Sequence, residues 1–124
     1  MTKLKKLTTL LVVDSIESQL PIWEKLGYAV TTRVPDSGPA GFVILQGAAG
    51  ELMFQTRASL AEDIPPAAAR KPSMLFYAQV DSLAKTKQAL SQAEILIEER
   101  KTFYGAKESW LVLPNGPILG LAEH

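Results

Sequence analysis

Short apolar runs alternate along this chain with helix-like segments and with turns marked by glycine and proline. The first apolar run, residues 7–13, has the length of a β-strand, and the segment after it is helix-like. Asp14 followed by Glu17 is the pattern of a capping box, and Gly27 stands where a glycine often ends a helix. Pro21 lies inside this segment, so either the helix bends there or its regular part begins at Pro21.

The remaining apolar runs predict three more strands in the first half of the chain and four in the second. We place strands at 28–34, 41–46 and 51–56, a turn at 47–50, a linker at about 58–72, and then a strand at 74–80, a helix at 83–93, strands at 95–101, 108–113 and 118–122, and a turn at 114–116. The linker separates a first module, at about 5–57, from a second module, at about 73–124.

An internal repeat supports this division. Val-Asp-Ser-Ile at 13–16 returns as Val-Asp-Ser-Leu at 80–83, each time between an apolar run and a helix-like segment. The apolar stretch at 42–45 has a counterpart at 110–113, in the same order along each half. Matched elements in the same order indicate a duplicated unit. Two such units side by side are expected to form a curved sheet whose concave face makes a cavity.

Composition narrows the possible functions. The chain of 124 residues carries 13 Lys and Arg against 13 Asp and Glu, so it has no excess positive charge to attract a nucleic acid. It has no cysteine, which excludes disulfides and thiolate chemistry. Its apolar runs are too short to cross a membrane, and the run after the lysines at positions 3, 5 and 6 ends at Asp14, too early for a secretory signal. We therefore expect a cytoplasmic protein.

Several local motifs resemble those of the vicinal oxygen chelate superfamily, which includes glyoxalases, bleomycin-resistance proteins and dioxygenases. The first strand and helix, ending in Leu26-Gly27-Tyr28, are similar to the start of that family. The segment from Tyr104-Gly105 to Glu108, with Pro114-Asn115-Gly116, resembles the ending of the bleomycin-resistance branch, although Leu113 replaces the usual aspartate. The resemblance implies an α+β fold of two tandem βαβββ modules in one domain, forming a curved mixed sheet with a concave cleft.

The same resemblance implies a homodimer, and the linker is long enough to permit an exchange of modules between subunits. The family places its metal ligands at one inward position on each of four strands, which here fall on Leu7, Glu51, Leu75 and Gly120. Glu51 alone among them has a side chain that binds metals, and the single histidine is His124. An iron site of two histidines and a carboxylate needs more than this. We therefore expect no metal and no other cofactor.

Strand alternation extends these positions into a face that lines the cleft. The predicted ligand-binding residues are Leu7, Thr9, Glu51, Met53, Gln55, Leu75, Tyr77 and Gln79, with Tyr104 and Trp110 near the mouth and Leu11 on the same parity. The opposite parity is almost wholly apolar and is expected to pack on the helices; it comprises Leu10, Val12, Leu52, Phe54, Phe76, Ala78 and Val80. Apolar walls with a few polar groups suit an organic ligand.

Several of these residues also have a purely structural interpretation. Tyr77 and Gln79 fit a solvent-facing sheet, and Glu51 fits a solvated residue at a strand start. Trp110 and Phe42 lie in runs that are apolar at every position, as in a core. The charged run at 98–101 has the character of a solvated edge.

Three functions fit these features. The first is a metal-independent small-molecule-binding protein that sequesters or carries a largely apolar or aromatic ligand in the cleft, as bleomycin-resistance proteins do. The second is a metal-free isomerase or lyase in which Glu51 is the general acid or base. The third is an interaction module with a vestigial cavity. The surroundings of Glu51 distinguish the second from the others.

Overall fold

The computed structural model describes residues 3–124. The chain divides into two compact units, one formed by residues 9–74 and the other by residues 3–8 and 75–124. Both units are α+β. Within the described residues, no helix is both long enough and apolar enough to cross a membrane.

The first half contains four strands and three short helices. In chain order they are β1 (Leu4–Val13), α1 (Leu20–Lys25), β2 (Ala29–Val34), β3 (Phe42–Gly47), β4 (Gly50–Thr56), α2 (Arg57–Asp63) and α3 (Pro65–Ala68). The strands lie in the order β2-β3-β4-β1. Strands β2, β3 and β4 are antiparallel neighbours, whereas β4 pairs with β1 in parallel.

The second half repeats this arrangement. Its elements are β5 (Met74–Val80), α4 (Leu83–Ala89), β6 (Glu94–Lys101), β7 (Lys107–Val112) and β8 (Ile118–Glu123). The strands lie in the order β6-β7-β8-β5, again with two antiparallel pairs and one parallel pair between the first and the last strand. The shared connectivity confirms the α+β class and the two tandem βαβββ modules.

The start of the first helix differs from the prediction. No capping box forms at Asp14: α1 begins at Leu20 with Pro21 in its first turn, which is the second of the two alternatives. Glu17 accepts a hydrogen bond from the backbone N–H of Ala40 at 2.8 Å instead of capping a helix. The predicted end is confirmed, because Gly27 has a φ of 92° and follows the last turn of α1.

The helix-packed face of each half is apolar, as its alternation predicts. In the first half Leu52 and Phe54 join Val43 and Leu45 in a core against Trp23 of α1. In the second half the corresponding core consists of Phe76, Ala78, Val80, Leu83, Leu111, Leu119 and Leu121 with neighbours at positions 90, 93 and 113. Helix α4 ends at Ala89, four residues earlier than predicted.

The predicted face of β1 is wrong. Leu10 pairs in register with Met53 and Val12 pairs with Gln55, so these residues share a side of the sheet. Leu7, Thr9 and Leu11 therefore lie on the opposite side, where Leu11 packs into the α1 core. Both parities of β1 carry leucine or valine, so alternation alone could not distinguish its two faces.

The segment predicted as a linker contains α2 and α3. Thr56 caps α2 by accepting a hydrogen bond from the backbone N–H of Ser59 at 3.1 Å, and Pro65 opens α3. The side-chain amide of Gln55 donates to Ser59 at 3.1 Å and to Asp63 at 3.4 Å. These bonds hold α2 over the Gln55 side of β4, and Gln55 is buried there.

Candidate ligand-binding site

A buried carboxylate organises the face of the second half that lies opposite its helix. Glu108 on β7 is fully buried. On the neighbouring strands, Tyr77 pairs with Gly120, and Gly120 pairs with Trp110, so these positions share the side of the sheet on which Glu108 lies two residues from Trp110. Arg100 of β6 is the register partner of Glu108. Three strands and the loop before β7 thus bring their side chains to one carboxylate.

The two oxygens of Glu108 have different partners. Oε1 accepts from Arg100 through Nε at 3.0 Å and Nη2 at 2.8 Å, and from the indole Nε1 of Trp110 at 3.0 Å. Oε2 accepts from the hydroxyl of Tyr104 at 2.6 Å and from the hydroxyl of Tyr77. Because all of these groups act as donors, protein hydrogen bonds replace the water that a buried carboxylate loses, and the positive charge of Arg100 balances its negative charge.

Gly120 makes room for Trp110. A Cβ atom at Gly120 would lie 2.5 Å from the indole ring, closer than van der Waals contact permits. The indole therefore rests directly against the backbone of β8, and it also packs on the ring of Tyr77, with 5.9 Å between the ring centroids. Trp110 is buried, so its core interpretation is confirmed, yet it lies on the side of the sheet predicted to bind a ligand.

Burial and the carboxylate keep both tyrosines protonated. Burial, together with the hydrogen bond to Glu108, raises the pKa of Tyr104 to about 12. The same two causes, burial first, raise the pKa of Tyr77 far above its ordinary value. At neutral pH both side chains are therefore neutral hydroxyls that donate to Glu108.

The aromatic surface continues onto the loop between β6 and β7. The backbone N–H of Ala106 donates to the Thr102 hydroxyl at 3.0 Å, and the loop turns at Gly105, where φ is 90°. This turn holds Tyr104 over Glu108 with 52% of its surface exposed. The Tyr104 ring lies 6.4 Å from that of His124, nearly parallel to it, and meets the exposed ring of Phe103 edge-on.

The structure brings together three of the predicted site residues: Tyr77, Tyr104 and Trp110. Gln79 is half-buried on the same side of β5, beyond Tyr77, and Leu75 is buried on that side. In the first half, Met53 and Gln55 share a side of β4 and are buried, and the amide of Gln55 is committed to α2. Glu51 is half-buried and pairs in register with Gln46. Phe42 shares the side of Gln55, its register partner.

Sequence reasoning missed the two charged residues of the cluster. Glu108 entered only as part of a motif, and Arg100 was placed on a solvated edge, which is wrong because 76% of its side-chain surface is covered and its guanidinium binds Glu108. The neighbouring Glu98 is exposed, as predicted, and pairs with Lys87 at 2.9 Å. The sequence carries one signal for Glu108. It has the same strand parity as Trp110, so its carboxylate is expected on the same side of the sheet as the indole.

The residues that the resemblance assigns to a metal do not fit one. Leucines stand at positions 7 and 75, and position 120 is a glycine whose missing side chain is replaced by the Trp110 ring. The carboxylate of Glu108 already accepts five hydrogen bonds, so it has no lone pair directed at a cation. Within residues 3–124, no group of three or more His, Cys, Asp or Glu side chains is arranged to hold a metal ion.

Comparison with solved structures shows the fold. A glyoxalase/bleomycin resistance protein/dioxygenase superfamily member from Vibrio splendidus 12B01 is 18% identical, with a TM-score of 0.71 over 96% of this chain and 98% of the other. A hypothetical protein from Bacillus halodurans C-125 is 15% identical, with a TM-score of 0.67 over 99% and 94%. The chain thus has the fold of the glyoxalase/bleomycin resistance/dioxygenase superfamily, and the bleomycin-resistance branch stays a prediction.

The 2,3-dioxygenase LapB from Pseudomonas sp. KL28 shares the fold at 12% identity and a TM-score of 0.62, and the match covers 94% of this chain but 41% of that one. No protein-family model matches the sequence, and no curated protein does.

Proposed function

We propose that this chain is a metal-independent small-molecule-binding protein that holds a largely apolar, aromatic ligand against the aromatic face of its second half. The observation that carries the proposal is the packing of Tyr77, Tyr104 and Trp110 around the buried Glu108. Three hydrogen bonds to Glu108 fix these rings before any ligand arrives, and two from Arg100 hold the carboxylate in place, so the rings have little side-chain entropy left to lose on binding.

The accessible part of this face is aromatic. Tyr104 is half-exposed, Tyr77 is partly exposed, and Phe103 is almost fully exposed beside them. Ring faces and edges at these positions offer stacking and edge-to-face contacts to a planar ligand. Trp110 supports them from below, because it is buried against Tyr77. A preformed aromatic wall with few polar groups is typical of small-molecule sites.

The chemistry of the cluster favours binding over catalysis. A general acid or base works best with a pKa near the operating pH. The hydroxyl of Tyr104 has a pKa of about 12 and that of Tyr77 is higher still, so neither exchanges a proton readily at neutral pH. The lone pairs of Glu108 are engaged by donors. The cluster therefore fixes an aromatic surface and supplies no reactive group. The homodimer that the family resemblance implies is part of the same proposal.

A thermal-shift screen against neutral, basic and acidic aromatic compounds tests the proposal, run in parallel with and without a chelator. We expect at least one aromatic compound to raise the Tm and the chelator to leave that shift unchanged. At a ligand concentration of 100 Kd the folded state gains about 2.7 kcal/mol, which is a shift of several degrees for a chain of this size.

Two matched variants locate the binding surface. Tyr104→Ala removes a side chain that is 52% exposed at the cluster, and Ile22→Ala removes one that is 54% exposed on α1 of the first half. We expect the first to weaken binding and the second to leave it unchanged. Equal weakening in both variants, a screen without stabilising compounds, or a shift abolished by the chelator would each contradict the proposal.

A further inference from the structure

The hydroxyl protons of Tyr77 and Tyr104 are both used inside the protein. A tyrosine hydroxyl has one proton to donate and two lone pairs to accept with. Both protons point at Oε2 of Glu108, an atom that has no proton of its own to offer in return. The two phenolic oxygens lie 3.4 Å apart, a long separation for a hydrogen bond between them. Their lone pairs are therefore what the two hydroxyls have left for a further hydrogen bond.

The surroundings preserve this polarity. Oε1 of Glu108 is occupied by Arg100 and Trp110, so the carboxylate stays in place and the tyrosine protons have a fixed acceptor. A hydroxyl that donates to a carboxylate becomes a stronger acceptor at its own oxygen, because hydrogen bonds in a chain polarise one another. The raised pKa values keep both groups protonated, so the pair accepts hydrogen bonds without carrying a negative charge.

We propose that the Tyr77 and Tyr104 oxygens form a twin hydrogen-bond acceptor that selects an aromatic ligand bearing a primary amino group. Two oxygens 3.4 Å apart can both lie at hydrogen-bond distance from one nitrogen, and a primary amine or ammonium has enough protons to serve both. The rings of the same tyrosines add a favourable surface for a cation. A carboxylate or a phenolate would face two oxygens with no proton to offer it. This inference rests on the proposed function and names the ligand class for the same site.

Three probes with one skeleton separate the interactions: 2-(2-naphthyl)ethylamine, its N,N,N-trimethylated ammonium, and 2-naphthylacetate. The trimethylated compound keeps the ring and the positive charge but has no N–H donor, and the acid reverses the charge. Binding is measured by calorimetry and by the two indole N–H resonances of 15N-labelled protein. The chain has two tryptophans, so Trp110 reports on the cluster and Trp23, whose indole donates to Gln19, is the internal control.

We expect the amine to bind more tightly than the trimethylated probe and to shift the Trp110 resonance alone. Tyr104→Phe removes one acceptor oxygen and keeps the ring, so it should weaken the amine by roughly two- to tenfold and leave the trimethylated probe unchanged. Tyr28→Phe is the matched control, since it removes a tyrosine hydroxyl from the first half. It should change neither affinity.

Each outcome decides one of the two claims. If the amine and the trimethylated probe bind equally and both shift Trp110, the binding site stands and the twin acceptor is wrong. The acceptor is also wrong if the acid binds most tightly or if Tyr104→Phe weakens both cations alike. If no probe moves Trp110, the proposed function fails together with the ligand class.

Discussion

Replacing Glu108 gives the sharpest test of how the cluster is built. Glu108→Ala removes the shared acceptor of four side chains, among them the buried indole N–H of Trp110 and the guanidinium of Arg100. Removing one member of a buried ion pair costs about 3–5 kcal/mol. Arg100 keeps 24% of its side-chain surface exposed and can recover some hydration, so the lower part of that range is expected.

Glu108→Gln is the informative counterpart, because the amide keeps the shape of the carboxylate. Its oxygen can still accept from Arg100 and Trp110. Its NH2 group must donate, so the hydroxyls of Tyr77 and Tyr104 must turn and accept from it. The hydrogen bonds lose their charge assistance, and we expect a cost of about 1–3 kcal/mol. The reversed tyrosines would then present protons outward, and the preference should move from the naphthyl amine to the naphthyl acid.

Urea unfolding followed by tryptophan fluorescence measures both losses. With an m-value of about 2 kcal/mol/M, a loss of about 3 kcal/mol lowers the midpoint by about 1.5 M. The free energy of unfolding of a chain of this size is about 5–15 kcal/mol, so both variants should remain folded in buffer. Glu99→Ala on the exposed side of β6 is the control and should stay within about 0.5 kcal/mol of the parent. The proposed role of Glu108 is refuted if Glu108→Ala lowers the free energy of unfolding no more than Glu99→Ala, or if Glu108→Gln lowers it more than Glu108→Ala.

Gly120, Tyr104 and Glu123 each offer a further test of the packing and charges in the second half. Gly120→Ala places a Cβ 2.5 Å from the Trp110 ring, so it should cost about 1–3 kcal/mol in urea unfolding and move the Trp110 resonance but not that of Trp23. The pKa of Tyr104 is raised from an ordinary 10.0 to about 12. The stability that this group contributes is therefore complete below pH 10 and is lost as the pH rises through 12. In a plot of the free energy of unfolding against pH, Tyr104→Phe should reduce the fall between pH 10 and 12. The pKa of Glu123 is lowered from 4.5, mainly by the backbone N–H of Leu83 at the start of α4, so its contribution is complete above pH 4.5 and is lost in acid; Glu123→Gln should be less sensitive to pH below 4.5 than the parent.

The sequence predicted the modular fold because the fold depends on features that repeat. Strand-sized apolar runs, a glycine after α1 and the turns predicted at 47–50 and 114–116 are local signals; the structure confirms them, with β3 ending at Gly47 and β4 beginning at Gly50. The face of β1 escaped prediction because both of its parities are apolar. The helices α2 and α3 were hidden by Pro65 and Pro66, which read as a linker but open a helix at its first turn.

The aromatic part of the site was predictable and its ionic part was not. Tyr77, Tyr104 and Trp110 were singled out by strand parity and by the motif that contains Tyr104. Arg100 lies in a charged run, and nothing in that run distinguishes the one side chain that turns inward from those that stay in water. That distinction depends on the register of β6 with β7, where Arg100 faces Glu108 across irregular pairing. Register of this kind is a tertiary property.

Gly120 and Trp110 are best understood as one feature of the site. The resemblance assigns a metal ligand to position 120, but a side chain there would occupy the space of the indole, as the 2.5 Å separation shows. Introducing a carboxylate at position 120 alone would therefore displace Trp110 and break its hydrogen bond to Glu108 before it could meet a metal. The indole, in turn, needs the glycine in order to reach Glu108. The missing metal-ligand side chain at position 120 and the buried indole of Trp110 are thus two consequences of the same packing. A metal site would require positions 110 and 120 to change together.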